Sequence, residues 1–257
     1  MVMQVINRLH RWFEAEIPER VRPHLRPYTI MCTGCDAGLV ECVLDSKSLD
    51  EVKKQTDGFT SLRDYFERAY GPPGGEGFRR AQDNFLRSLV GYSLVCYVLQ
   101  IKDRHNANIL LSREGHLMHI DFGFVLGNVP KMGRVPIFSE RAPFKLSSEF
   151  LEVIGGCDRE RGGLFEDFCE MFGEAFACAS SHSEEIATLV ESTIINLRGD
   201  RDSARTIADD VRGRLQMRGG KLSEMQQNFI ISMIESARTC WRTSTYDWLQ
   251  KSMNGYQ

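Results

Sequence analysis

Between Asp103 and Gly123 the chain reads DRHNANILLSREGHLMHIDFG, which sets an aspartate (Asp103), a histidine (His105) and an asparagine (Asn108) in one polar loop. After a short hairpin pattern it returns to a second aspartate, Asp121, followed by Phe122 and Gly123. These are the side chains that metal-assisted phosphoryl transfer needs. The moving phosphoryl group asks for little covalent help, but its developing charge must be neutralised by Mg²⁺, and the attacking hydroxyl must be aimed and relieved of its proton. Hard cations take oxygen ligands, and Asn108 and Asp121 supply them. Asp103 or His105 can orient the nucleophile and accept its proton.

The order Asp-x4-Asn, strand pair, Asp-Phe-Gly matches the catalytic and metal loops of protein kinases, with one inversion. Those enzymes read His-Arg-Asp, whereas here Asp103 comes first and Arg104-His105 follow. Asp121 taken singly is an ordinary turn or cap residue; the offsets of Asp103, His105 and Asn108 carry the reading. Arg104 reads as structural, paired with a carboxylate. His116 and His119 alternate along a strand-like run without Cys or carboxylate neighbours, so they read as packing residues and not as metal ligands.

The elements that must position this loop follow from periodicity. Met3 to Glu16 has the apolar spacing of a helix, and Pro18, Pro23 and Pro27 break the chain before two strand-like runs, Tyr28 to Thr33 and Gly38 to Val43. Helices are expected at Ser61 to Tyr70 and Phe78 to Ile101, joined by the surface linker GPPGGEG, which lacks the Lys-Ser/Thr of a phosphate-binding loop. Asn108 to Leu111 and His116 to Ile120 form the hairpin around Ser112-Arg113-Glu114-Gly115. Beyond Ser147 the pattern is helical, ending in a stretch from Ser223 to Met253 that places Trp241, Trp248, Leu249 and Met253 on one apolar face. A face of that kind suits either core packing or a membrane interface.

At 257 residues and a net charge of -3, the chain can bury one large core or two modest ones, and no nucleic-acid partner is indicated. Its longest apolar stretch, Leu86 to Ile101, is interrupted by Arg87, Gly91, Ser93 and Gln100, which makes a buried helix and not a span. The opening residues are amphipathic from the first turn and do not read as a signal peptide. Eight cysteines show no framework; Cys32 and Cys35 form a CxxC that no second pair answers, and the others read as reduced thiols of a cytoplasmic protein.

DRHNAN followed by HIDFG resembles the catalytic and activation-loop signature of the phosphoinositide 3-/4-kinase family. SLVCYVLQIKDRHNANILL, HIDFGFVLGNVP, PFKLSSEFLEVIGG and SLRDYF resemble its type III phosphatidylinositol 4-kinases, most closely the beta form. The resemblance covers nearly the whole chain and is weakest from about Arg159 to Gly220. It implies an α+β, protein-kinase-like fold, mostly the helical C-lobe. Residues 1–43 would be an N-lobe remnant and the start of the hinge, and 44–257 the C-lobe with its catalytic loop (103–108) and activation loop (121–150). ATP with Mg²⁺, or Mn²⁺ in its place, is the implied cofactor set, and phosphatidylinositol the implied substrate, phosphorylated at the inositol 4-hydroxyl. Glu41, Cys42 and Val43 would hold adenine through backbone groups above an apolar floor of Leu110 and Ile120. Lys145 would contact the lipid's bridging phosphate, and the dispersed charges Lys131, Arg134 and Arg141 suit a head group that carries no further phosphates.

The resemblance also implies peripheral contact with an intracellular, Golgi-like membrane from the cytoplasm. Kinases of this type need an N-lobe lysine for the phosphates, and no lysine precedes Lys47. The expectation is therefore a truncated catalytic domain with little activity by itself. The alternatives are a phosphatidylinositol 3-kinase that uses the unphosphorylated lipid, and a non-catalytic module that binds a membrane or a partner.

Overall fold

The computed structural model describes residues 1–34, 36–127, 131–132, 135–136, 142–157, 163–216 and 224–239. Its centre is the helix expected over the longest apolar stretch, observed as α4 (Glu76–Leu99), with Phe85, Leu89, Val90, Leu94, Val95 and Val98 all buried. Small polar residues do not open this helix to solvent: Ser88 is buried, and its Oγ donates to the Asn84 carbonyl at 2.7 Å and accepts from the Leu117 N–H at 2.8 Å. Around α4 pack α3 (Leu62–Tyr70), α6 (Phe165–Ser181), α8 (Arg201–Leu215) and the strand β5 (Leu117–His119). Edge-on aromatic pairs Phe66–Phe85 (5.4 Å) and Phe85–Phe150 (5.6 Å) fix α3 and α5 (Ser148–Val153) to one end of it.

Helix α1 (Val2–Glu16) forms as its spacing predicts and buries Val5, Ile6, Leu9 and Phe13 in the same core as α4 and α6. The division expected at residue 43 thus leaves no gap in the hydrophobic interior. The chain then returns along α4 in extended form. Arg87 laces it there, its guanidinium donating to the carbonyls of Glu19 (2.7 Å), Arg22 (2.9 Å) and Arg20 (3.2 Å), while the His24 N–H donates to the Arg87 carbonyl at 3.0 Å.

This close approach needs Gly91. A methyl group there would lie 2.5 Å from the His24 carbonyl oxygen and 3.0 Å from Leu25 Cδ2, distances at which backbone must shift. Gly91→Ala is expected to lower unfolding free energy by about 3 kcal/mol, the upper range for overpacking a closed core, read as a drop in the denaturant midpoint at unchanged slope.

Two antiparallel sheets were expected in part. The exposed hairpin of β1 (Ile30–Cys32) and β2 (Gly38–Val40) matches the two strand-like runs. The hairpin of β4 (Ile109–Ser112) and β5, with Ile109 opposite His119, gains a third strand that periodicity did not show, β3 (Ser46–Ser48). Ser46-Lys47-Ser48 has no apolar alternation to announce it. The short helix behind it, α2 (Leu49–Gln55), is announced only by a capping box, with Ser48 Oγ accepting from the Glu51 N–H while Glu51 accepts from the Ser48 N–H. Beyond the core, α7 (Ser183–Arg198) and α8 pair across Gly199, which ends α7 at φ +67°. A short hairpin, β6 (Lys131–Met132) with β7 (Val135–Pro136), interrupts the expected activation loop. Helix α9 (Glu224–Thr239) covers the described part of the last helical stretch. Trp241, Trp248, Leu249 and Met253 lie outside the described residues, as do Cys35, Arg134 and Arg141. Among the described residues no helix is long and apolar enough to cross a membrane.

His116 and His119 pack, as read from their surroundings. His119 stacks on Tyr92 (4.9 Å, 17°) with Nδ1 3.4 Å from Cys96 Sγ, and burial pushes its pKa well below the ordinary value. His116 sits 4.2 Å from the ring of His24, whose pKa is pushed down to about 4 by burial and then by its histidine neighbours. A histidine with a lowered folded pKa is protonated first in the unfolded chain, so its contribution is complete above pH 6.5 and is lost as pH falls from 6.5 towards 4. The expected loss across that window is about 2 to 3 kcal/mol for His24. Denaturation midpoints of the parent and His24→Gln measured at both ends of the window should show a smaller pH difference for the variant.

Candidate active site

Two loops bring the chemistry together. Helix α4 ends at Gln100 in the left-handed conformation, and residues 101–105 lead into a single 3₁₀ turn, Asn106–Asn108. The second loop follows β5 and carries Asp121, Phe122 and Gly123. Three backbone bonds close one loop on the other, Ile120 N–H to the Asn108 carbonyl (3.1 Å), Lys102 N–H to Phe124 (2.9 Å) and Leu126 N–H to Leu99 (2.8 Å), while Asn108 N–H to His105 (2.9 Å) tightens the first loop itself.

Arg104 completes the closure. Its side chain is buried, with Nε donating to the Lys102 carbonyl at 3.0 Å, Nη1 to the Ile120 carbonyl at 2.7 Å and Nη2 to the Asp121 carbonyl. The expected carboxylate partner is replaced by three backbone carbonyls, with the ring of Phe122 5.6 Å from the guanidinium carbon. Sequence spacing marks such a residue as structural but cannot show that carbonyls will satisfy it.

Asp103 (φ +63°) and Asp121 (φ +55°) both take the left-handed conformation, which is rare for residues with a Cβ and concentrates at sites where neighbours over-determine the backbone. Asn108 Nδ2 donates to the Asp103 carbonyl at 2.9 Å and lies 3.1 Å from His105 Nε2. The carbonyl demands a donor, which settles the amide's orientation. His105 Nε2 is 3.9 Å from Asp103 Oδ2. Among the described residues, the hydrogen bonds of the Asn108 side chain are made through Nδ2. Asp121 accepts from the Gly123 N–H through Oδ1 at 3.2 Å, and its other oxygen is left to a ligand.

Beside this cluster opens a cleft of about 1250 Å³. Its wall joins Asp121 and Phe122 to Leu110 and Ile120 on one side, and to Glu41, Cys42 and Val43 on the other. All the residues expected to meet adenine thus face one cavity. The Glu41 N–H is taken by the Thr29 carbonyl (2.9 Å) and the Glu41 carboxylate by the Thr29 N–H (2.7 Å), which holds the connecting segment while leaving the Glu41 carbonyl and Val43 N–H to the cleft. Asp103, His105 and Asn108 stand behind Asp121 and not on the wall itself. The first turns of α1 line the cleft as well, through Met3, Gln4 and Asn7, a contribution that helix periodicity gave no means to find.

Lys145 is placed differently from the expectation. It is 3% exposed, and Nζ donates to Asn106 Oδ1 at 3.0 Å. Its charge is spent within the catalytic loop, which it steadies from the side of the acceptor segment, and it does not line the cleft.

The family model for phosphatidylinositol 3- and 4-kinases matches residues 1–196. With loops, cleft and α+β architecture in agreement, the chain belongs to the phosphatidylinositol 3- and 4-kinase family. It is 37% identical to a phosphatidylinositol 4-kinase of Dictyostelium discoideum over 99% of the chain and 21% of that relative. It is 38% identical to phosphatidylinositol 4-kinase beta 1 of Arabidopsis thaliana (99% and 22%), and 35% identical to phosphatidylinositol 4-kinase beta of Xenopus tropicalis (99% and 30%). The chain therefore spans less than a third of the length of these curated relatives.

Proposed function

We propose that this chain carries the hinge, catalytic loop and metal loop of an ATP-dependent phosphatidylinositol 4-kinase. The observation that supports this most directly is Arg104, which fastens the backbone of Asp121 to the loop holding Asp103, His105 and Asn108, beside a cleft rimmed by Glu41 to Val43. The names of the relatives supply the lipid and the 4-position.

In this reading the Glu41 carbonyl and Val43 N–H hold adenine, with Leu110 and Ile120 excluding water beneath it. Asn108 Oδ1 and the Asp121 carboxylate fit a hard cation: both are oxygen donors, and neither is consumed by a buried partner. Bound there with ATP, Mg²⁺ or Mn²⁺ would neutralise charge on the phosphate oxygens. Asp103 Oδ2 or His105 Nε2 would take the proton of the inositol hydroxyl. Lys145 acts on this loop through Asn106. The protein works at the cytoplasmic face of an intracellular membrane, without a span of its own among the described residues.

The test is turnover on phosphatidylinositol vesicles with ATP labelled in the γ-phosphate and Mg²⁺, with the position of the new phosphate read by head-group chromatography. A 4-phosphate supports the proposal, and a 3-phosphate reassigns the chain to the other branch of its family. Vesicle binding without turnover, indifferent to nucleotide and to Asp121→Asn, would overturn the enzyme reading.

A further inference from the structure

Away from the cleft, α1 ends against the junction of α6 and α7. There Glu16, Cys178 and His182 bring a carboxylate, a thiol and an imidazole together, with their candidate ligand atoms all within 4.8 Å of one another. The arrangement has simple local causes. Cys178 and His182 are four residues apart at the end of α6, which puts them on one face a turn apart. Glu16 is the last residue of α1, and Trp12, one turn earlier, stacks on the His182 ring at 4.0 Å and 3°, which fixes the plane of the imidazole.

We propose that Glu16, Cys178 and His182 form a Zn²⁺ site, with water as the fourth ligand. Sulfur, nitrogen and carboxylate oxygen are the ligand types zinc takes, whereas Mg²⁺ and Ca²⁺ avoid thiolates, so this site is chemically distinct from the oxygen pair at the cleft. Tetrahedral zinc with ordinary bond lengths sets sulfur and oxygen about 3.6 Å apart, and nitrogen and oxygen about 3.4 Å apart. Cys178 Sγ is 3.7 Å from Glu16 Oε2, while the imidazole meets the other carboxylate oxygen, so rotation of the Glu16 carboxylate must bring one oxygen to both ligands. His182 Nε2 is 2.6 Å from Glu16 Oε1, a hydrogen-bonded distance. Opening it by less than about 1 Å admits the ion, and the side chain that must move is Glu16, 41% exposed. The thiol proton leaves to solvent as the sulfur–zinc bond forms.

The site would tie the C-terminus of α1 to the core helix α6. Because the first turns of α1 line the cleft through Met3, Gln4 and Asn7, the ion would steady one cleft wall from the far end of the same helix.

The experiment strips the purified protein with a chelator, then titrates it with Zn²⁺ against a chromogenic competitor and separately with Co²⁺. The expected results are one tightly bound equivalent, a thiolate-to-cobalt charge-transfer band in the near ultraviolet, and a rise in Tm on adding Zn²⁺. Cys178→Ser should abolish the band and the Tm response and weaken zinc binding by about 100-fold or more. Glu16→Gln, at an exposed side chain that folding does not depend on, should weaken binding by about tenfold. Absence of a stoichiometric site, or a band and affinity that survive in Cys178→Ser, would overturn the proposal and leave the trio an ion pair beside a buried thiol.

Discussion

Asp121→Asn is expected to lower kcat for phosphatidylinositol phosphorylation by at least about a thousandfold, which is about 4 kcal/mol of transition-state stabilisation. The substitution isolates charge. Asn tolerates the left-handed backbone that Asp121 occupies at φ +55°, and its amide oxygen can still accept from the Gly123 N–H. Asp121 is exposed and its side chain makes no buried contact that folding relies on, so unfolding free energy should stay within about 0.5 kcal/mol. What disappears is the anionic oxygen that would hold a divalent cation against the phosphates of ATP. Steady-state kinetics at saturating ATP and Mg²⁺, beside a thermal melt, give both numbers from one preparation. A kcat within tenfold of the parent would remove Asp121 from the metal site and leave the phosphoryl-transfer reading without its anchor.

The parts of the molecule legible in the sequence are those where one face of an element meets the core. The stripe of α1, the apolar run of α4 and the apolar strands β4 and β5 are each imposed by burial, and each formed within a few residues of the reading. What escaped was held by other means. Strand β3 has no buried alternation, and α2 is too short for periodicity, its start being set by the Ser48–Glu51 capping box. In the site, Asp103, His105, Asn108 and Asp121 could be picked out as candidates because the chemistry expected of them restricts residue type, and the two loops bring them together. The burial of Lys145 was not legible, because a lone lysine in a loop carries no mark of it; the Asn106 amide that receives it lies 39 residues earlier in the chain. The trio of Glu16, Cys178 and His182 shows the same limit, since Cys178 and His182 lie one turn apart at the end of α6 but the third member arrives from α1.

The second large effect is expected from a residue that touches no reactant. Arg104 acts through backbone: one planar guanidinium holds the Lys102, Ile120 and Asp121 carbonyls, two of them in the metal loop, and its charge lies buried against the ring of Phe122. Lysine keeps the charge but offers a single tetrahedral ammonium, which cannot span three carbonyls aligned for a fork. In Arg104→Lys the Asp121 backbone should therefore drift relative to Asn108, and misplacement by about 1 Å is sufficient to cost about 100-fold in kcat. Because the hinge is untouched and Ile120 keeps its N–H bond to the Asn108 carbonyl, KM for ATP should change by less than about threefold. Unfolding free energy should fall by about 1 to 3 kcal/mol from carbonyls left unsatisfied. A merely structural role would lower stability and leave kcat per folded molecule intact, so kcat measured well below the unfolding temperature separates the two. If it holds, the backbone bonds from Lys102 to Phe124 and from Leu126 to Leu99 suffice to register the loops, and Arg104 is a core residue without a part in positioning Asp121.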